Sequence, residues 1–476
     1  MQYCYHGDPM TNSSTLGERL RGRISALAPG DKLPTSRQLM AEYGVGPGTV
    51  ARVIAALAAE GVVVTRPGSG TFVAPGKGAE SLRFDLGWQT VALADRAIDT
   101  ANLGDILGPA PEGTIMLNGG YLHPSLQPRR MLSAVLARAA RRPDAWDRAP
   151  ISGLESLRSI FATAAGATLG VVTADDVLIT AGGQSALSMA MRAIAPPGGP
   201  VLVESPTYPG ALAAARAAGL RPVPVPLDND GLRPDLLAEA FELTGARLLY
   251  CQPAFHNPSG LIYSADRRRA VLDVARAAGA FVVEDDFARY LGHGTAVPRT
   301  LLADDQHGTV VQITSLTKAT APSMRLGALI ARGPVMERFR AIRHVDDFFI
   351  GRPLQEAAVE LLSSPGWERH VRGLASALRQ RCHAVAVAIE EQLPDWTIHQ
   401  MPSGGLHLWI ELPHGQDDVT VGSAARRGGV AVSAGRMYFA AESPAAYLRL
   451  SFAAGGDTAE LVRAVTRLSR VCRQVV

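Results

Sequence analysis

The sequence predicts a multidomain protein in which a small helical head with a β-hairpin precedes a large α/β module. Three observations point there. The chain has 476 residues, too many for one ordinary hydrophobic core and enough for two or three domains. Its N-terminal part carries apolar positions at helical spacing, then two short β-like runs around a Pro-Gly-Ser-Gly turn. From Ile115 onward, short apolar runs alternate with alanine- and arginine-rich helical stretches, the pattern of a parallel sheet covered on both faces.

Composition bounds the function classes. Hydrophobic residues make up 47% and charged residues 19%, a globular balance that excludes overall disorder. A net charge of +3 is too small to mark a nucleic-acid binder by itself. Cys4, Cys251, Cys382 and Cys472 have no paired spacing, so neither a metal site nor a disulfide framework is signalled. No apolar run is long enough to cross a bilayer, and Met1–Met10 lacks a basic-then-apolar signal pattern. A cytoplasmic protein with no membrane partner is expected.

In the head, Leu16, Leu20, Ile24 and Leu27 recur at helical spacing, and Pro29-Gly30-Asp31 ends that segment. Thr35 or Ser36 caps a second helix, Arg37 to Tyr43. Gly44 to Gly48 reads as a tight turn, with Thr49 capping a third helix to about Glu60. Val62–Val64, the turn at Pro67–Gly70 and Thr71–Val73 form a wing. The pieces PGDKLPTSRQLM, YGVGPGTVARVIAALAAEG and RPGSGTFV resemble the winged helix-turn-helix of the GntR superfamily. The resemblance implies double-stranded DNA as partner. Arg37, Thr49 and Arg52 would contact it, and the wing tip Gly68, Ser69, Gly70 and Thr71 would lie on the backbone or minor groove. Arg21 and Arg23 read as ordinary surface charge.

Residues 76–113 read as a linker with some helix. Beyond it, Lys318 stands out. The chain holds only three lysines, and the other two, Lys32 and Lys77, lie near the N-terminus. A lone lysine in an arginine-rich chain points to what arginine cannot do: lose its proton and attack a carbonyl. Its surroundings, Ser315-Leu-Thr-Lys318 and Met-Arg325-Leu-Gly327, suit an aldehyde that also carries a phosphate. Gly183-Gln184 after a strand can cradle a phosphate at a helix N-terminus. Tyr208 in PTYPG, Asn257 in HNPSG and Asp285 in VVEDD also follow strands. A ring-stacking group, an amide and a carboxylate for a pyridine nitrogen are thereby offered.

In this order, GGQSAL, PTYPG, HNPSG, VVEDD, SLTKATAPSMRLG and YLRLSF resemble the pyridoxal-phosphate aminotransferases of fold type I, class I/II. The resemblance implies a large mixed or parallel-sheet domain over 114–476, with a smaller α+β subdomain from about 335. It implies pyridoxal 5'-phosphate in a Schiff base with Lys318 and Asp285 on the ring nitrogen. Asn257 would meet the ring hydroxyl and Tyr208 the ring face. Gly183, Gln184, Ser315, Thr317 and Arg325 would hold the phosphate, and Arg449 a substrate or effector carboxylate. There are two departures. Phe287 and Ala288 stand where relatives carry a tyrosine, and Arg148 stands where a tyrosine reaches the neighbouring subunit's phosphate. His256 and His407 read as structural histidines.

With the head at 12–75, the layout is similar to the MocR subfamily of GntR-type regulators. This implies a homodimeric transcription factor that senses pyridoxal phosphate, a small amino compound, or both. A working aminotransferase with an auxiliary head is the alternative.

Overall fold

The computed structural model describes residues 9–25, 27–28, 30–66, 70–74, 87–93, 111–166, 172–294 and 296–475. They fall into two compact units, Met1–Ala97 and Ile98–Val476.

In the first unit, helices Pro9–Ile24, Ser36–Tyr43 and Pro47–Ala59 precede the antiparallel pair β1 (Val63–Arg66) and β2 (Gly70–Val73). Leu16, Leu20, Leu39, Val50, Val53 and Leu57 make the core. Thr35 caps the second helix in a capping box with Gln38. The third helix begins earlier than expected. Pro47 and Gly48 are its first residues and Gly46 is the cap, so Thr49 sits inside the first turn and does not cap it. Proline tolerates that place because its missing N–H would have no partner there, and its φ is already helical. Leu27 lies beyond the first helix but still packs on the core. A short helix, Gly87–Ala92, is described within the expected linker.

In the second unit, β3 (Ile115–Met116) is followed by the strands of the main sheet: β4 (Val177–Thr180), β5 (Pro200–Ser205), β6 (Arg221–Asp228), β7 (Gly231–Leu232), β8 (Leu248–Cys251), β9 (Phe281–Asp286), β10 (Val310–Ser315) and β11 (Gly327–Ile330). Their order is β4-β11-β10-β9-β8-β5-β6-β7. The pairs from β10 to β6 are parallel. Strand β11 runs antiparallel to β10 and β4, and β7 is an antiparallel edge.

Side chains alternate across this sheet as the pleat requires. Ile179, Leu202, Leu249 and Val282 enter one apolar layer, and Leu178, Val201, Val203, Leu248 and Val283 the other. A third core holds the C-terminal part: the long helix Pro365–Gln392, helix Thr458–Val475, and strands β12 (Thr397–Ile398), β13 (His407–Glu411) and β16 (Tyr447–Ser451). Strand β14 (Val430–Ala431) pairs with β3, and β15 (Ser433–Ala434) with β16. The pairing brings Leu117 and Leu122 into this third core.

Gly153 ends the turn before helix Glu155–Gly166 at φ +95, and a Cβ there would fall 2.3 Å from Ile179 Cγ1. Gly245 caps helix Pro234–Thr244 at φ +65 with nothing within 4 Å. Gly153→Ala is expected to destabilise the protein by about 2–4 kcal/mol, through strain plus overpacking. Gly245→Ala is expected to cost ~1 kcal/mol from conformation alone. The unfolding midpoints of the two variants in urea, compared side by side, check the difference.

Candidate functional site

Strands β4 and β10 end, and β11 begins, at one edge of the sheet. Gly327 pairs with both Ser315 and Thr180, so the start of β11 meets the finish of its two neighbours. Ala181-Gly182-Gly183, Ser315–Lys318 and Arg325 therefore converge, although they are far apart in sequence. Gly183, Gln184, Tyr208, Asn257, Asp285, Ser315, Thr317, Lys318, Arg325 and Arg449 all line one cavity of about 110 Å³. Gly120, Tyr121, Gln252, Phe287 and His407 line it too.

Of three successive acids on β9, only Asp285 faces this cavity. Tyr250 donates from its hydroxyl (2.7 Å) and Gln252 from its amide (2.9 Å) to Asp285 Oδ2. Burial pushes the Asp285 carboxyl up to about 6, against these two donors. A cationic ring nitrogen beside it would draw that value down again. Glu284 and Asp286 point to the other face. Glu284 accepts from the N–H groups of Leu301 and Leu302, capping the short helix Leu301–Asp304. Asp286 accepts from Arg289 Nε (2.6 Å) and Gln312 Nε2 (2.9 Å). Burial raises both carboxyls.

Lys318 Nζ donates to the Gly120 carbonyl (2.8 Å) and lies 3.9 Å from the Tyr121 ring centroid. Desolvation, with Arg449 and Arg325 nearby, brings the amine down to about 7, although Asp285 opposes the shift. A neutral, nucleophilic amine is thus accessible near neutral pH. Arg449, on β16, is 3% exposed. Its guanidinium donates to Asn257 Oδ1 (3.0 Å) and to the Asn118 carbonyl (2.7 Å), and its Nε has no partner. Among the described residues Arg449 forms no ion pair, so a buried cation faces the cavity without a resident anion.

At the other end, helix Gly183–Ile194 opens with N–H groups that no turn of its own can satisfy. Gly182 stands at φ +87, and a Cβ there would crowd the Arg325 guanidinium at 3.1 Å. Arg325 is exposed and donates to the Ala181 carbonyl. Ser315 Oγ accepts from the Thr317 N–H, and Thr317 Oγ1 is buried without a partner. A cation, a helix N-terminus and an unpartnered hydroxyl suit a phosphate. The Lys318 amine and the Asp285 carboxylate suit an aldehyde-bearing pyridine. The residues present fit pyridoxal phosphate.

Tyr208 precedes helix Pro209–Ala217, and its hydroxyl donates to Gln184 Oε1 (3.2 Å). Phe287 lines the cavity without a hydroxyl. Arg148 is exposed and is not among the cavity-lining residues. Sequence reasoning missed Gly120 and Tyr121, which lie in a loop without a motif. It also missed Gln252, whose signal was its place directly after β8. His256 does not line the cavity: its Nδ1 lies 2.7 Å from Ser259 Oγ and its Nε2 3.4 Å from Glu204 Oε2. His407, by contrast, lines the cavity.

In the head, Arg37 and Arg52 are exposed and Thr49 is half-buried near the start of helix Pro47–Ala59. Among the described residues, neither Arg37 nor Arg52 forms an ion pair. Arg21 and Arg23 instead pair with Glu60 and Glu42. Gly70 and Thr71 lie on β2; Gly68 and Ser69 lie outside the described residues. Arg66 also stacks over Phe72, 5.1 Å from its centroid.

The Lys318 amine loses its proton as pH rises through about 7. Capture of pyridoxal phosphate by the cofactor-free protein, fixed with borohydride and counted on the Lys318 peptide by mass spectrometry, should rise about tenfold from about pH 6 to about pH 8. Lys318→Arg should show none at either pH.

Residues 124–468 match the family described as aminotransferase class I and II, and residues 12–73 match the bacterial regulatory proteins of the gntR family. The chain is 26% identical over 428 residues to the HTH-type transcriptional regulator YdfD of Bacillus subtilis, covering 89% of this chain and 88% of that protein. It is 29% identical over 432 residues to the HTH-type transcriptional regulator YjiR of Escherichia coli, covering 89% and 90%. Its fold superposes on LysN, the alpha-aminoadipate aminotransferase of Thermus thermophilus, solved with N-(5'-phosphopyridoxyl)-L-leucine. The TM-score is 0.74 and the identity 27%, over 82% of this chain and 98% of that one. Cavity, head and relatives agree: the chain belongs to the aminotransferase class I and II family, in the MocR-type arrangement that sets a GntR-type head before the pyridoxal-phosphate fold.

Proposed function

We propose that this protein is a pyridoxal-phosphate-dependent transcriptional regulator whose DNA binding responds to the cofactor and to a small amino compound. The observation that carries the reading is the union, in one chain, of a GntR-type head with a cavity holding Lys318, Asp285 and an unpaired Arg449. Residues 12–75 serve as the DNA-binding domain, 76–113 as linker and 114–476 as the sensor, which assembles as a homodimer in the cytoplasm. Among the described residues no helix is long and apolar enough to cross a membrane.

Pyridoxal phosphate, when bound, supplies an aldehyde carbon open to amines and an electron-withdrawing ring. Lys318 is the residue that joins it, because its desolvated amine sheds a proton near pH 7. Asp285 holds the proton at the ring nitrogen, steadied by Tyr250 and Gln252. Asn257 would meet the ring hydroxyl, and Tyr208 the ring face; both line the cavity. Gly183, Gln184, Ser315, Thr317 and Arg325 hold the phosphate. Arg449 binds the carboxylate of an amino-acid effector, since it is a buried guanidinium that lines the cavity and forms no ion pair among the described residues. A ligand bearing both carboxylate and amine spans Arg449 and Lys318, which differential binding can convert into a population shift.

On DNA, Arg37 and Arg52 meet phosphates or guanine edges, Thr49 meets phosphate at a helix N-terminus, and the Gly68–Thr71 wing tip meets the backbone or the minor groove. The complete Lys318, Asp285 and Arg449 set also supports a transaminase; Phe287, which brings no hydroxyl to the cavity, favours the sensor.

Footprints on the DNA upstream of this gene, with and without pyridoxal phosphate, test the reading. Wild type should protect a discrete site in a cofactor-dependent way, and Lys318→Ala should lose that dependence. Arg52→Ala should weaken protection by about tenfold and flatten its salt dependence. Diffuse binding indifferent to cofactor and to Lys318 would remove the sensor reading and leave the transaminase.

A further inference from the structure

The wing of the head is broader than its hairpin. Residues 31–33 run along the free edge of β2: the Leu33 N–H donates to the Thr71 carbonyl, and the Val73 N–H to the Asp31 carbonyl. Lys32 therefore stands directly across from Phe72 in an antiparallel bridge. On the other side of β2, Val63 pairs with Val73, Val64 with Phe72 and Arg66 with Gly70. Val63 and Val73 turn into the core of the head. The pleat then sends Val64, Arg66 and Phe72 to the opposite face, and Lys32, as the partner of Phe72, joins them there.

Two cations thus flank one ring. Lys32 Nζ lies 5.8 Å and Arg66 Cζ 5.1 Å from the Phe72 centroid, both within reach of the attraction between a cation and a ring face. The Lys32 stem passes over Gly70, where a Cβ would fall 2.7 Å from Lys32 Cε. Glycine at that position leaves the lysine its path. Both cations are exposed, and among the described residues neither forms an ion pair. Three acids of the head are engaged elsewhere: Glu60 with Arg21, Glu42 with Arg23, and Asp31 with the Ala28 N–H. The outer face of the wing is left positive, with both charges held in place by the ring.

Width decides which part of a duplex such a face can meet. Strands lie about 4.8 Å apart, so three of them present a face about 10 Å across. The minor groove, about 6 Å wide, admits a hairpin tip but not this face. Fixed cations on a surface too wide for the groove suit the sugar-phosphate ridge beside it.

We propose that Lys32 and Arg66, set on either side of Phe72, form a phosphate-binding surface that grips the DNA backbone independently of sequence. The inference rests on the DNA-binding reading above. It adds two contact residues outside the second and third helices and assigns them affinity, not base reading.

The test is fluorescence anisotropy with the full chain loaded with pyridoxal phosphate. Two duplexes of equal length are titrated over a series of salt concentrations: the site protected upstream of this gene and an unrelated sequence. Lys32→Ala and Arg66→Ala should each weaken binding to both duplexes by about fivefold at about 0.1 M salt. Each should also lower the slope of log affinity against log salt by about 0.9, the release of counterions from one phosphate. The double variant should lower it by about 1.8. The preference for the protected site should stay within about twofold of wild type, and Lys32→Arg should restore the slope, since a phosphate accepts either cation. Unfolding midpoints equal to that of wild type exclude a damaged head. Slopes that stay at the wild-type value overturn the proposal, even if affinity falls, because the face then docks on something other than phosphate. A loss confined to the protected site overturns it too, since the two residues would then read bases. A wild type that binds neither duplex removes the DNA-binding reading and this inference together.

Discussion

The site depends on the reversal of one strand. Strand β11 runs against β10 and β4 inside an otherwise parallel run, so its first residues lie at the edge where its neighbours finish. Were it parallel, Arg325 would sit at the far edge, some four residues of extended chain away, about 13 Å. The reversal sets Arg325 over the Gly182 backbone and beside Ser315 and Thr317. The phosphate end of the cavity is built by topology first and by side-chain chemistry second.

Charge is then distributed by the pleat. Glu284, Asp285 and Asp286 are chemically near-equivalent and adjacent, yet alternation sends the middle one to the cavity and its neighbours to the opposite face. There they cap a helix and pair with Arg289. Across the cavity, Lys318 and Arg449 are both desolvated without a carboxylate in contact, which shifts each toward its neutral form. For lysine the result is a reactive amine. A guanidinium remains charged, so Arg449 stays a cation in search of an anion. One environment makes one residue a nucleophile and the other a receptor.

The head follows a different economy. Its core is small and apolar, from Leu16 to Leu57, and two of its arginines are tied down by Glu60 and Glu42. Arg37 and Arg52 are left exposed on the second and third helices, where phosphate neutralisation would give the salt-sensitive affinity typical of DNA binders. Pro47 at the first position of the third helix starts that helix three residues earlier than a Thr49 cap implies. The start alters which N–H groups point outward at its tip.

The sequence by itself determined the division into head and α/β module, the strands that end in chemistry and the ten residues that meet in one cavity. It could do so because a lone lysine, a strand-end carboxylate and a glycine turn before a helix are each demanded by local chemistry. Periodicity, which needs only near neighbours, located the strands. Tertiary structure alone decided the direction of β11, the pairing of β3 with β14, and which acid of three is functional. It alone brought in Gly120, Tyr121 and His407, whose loop and strand carry no motif. Those choices arise from contacts between residues distant in the chain, Lys318 with Gly120 or His407 beside Arg449, and no local pattern encodes them.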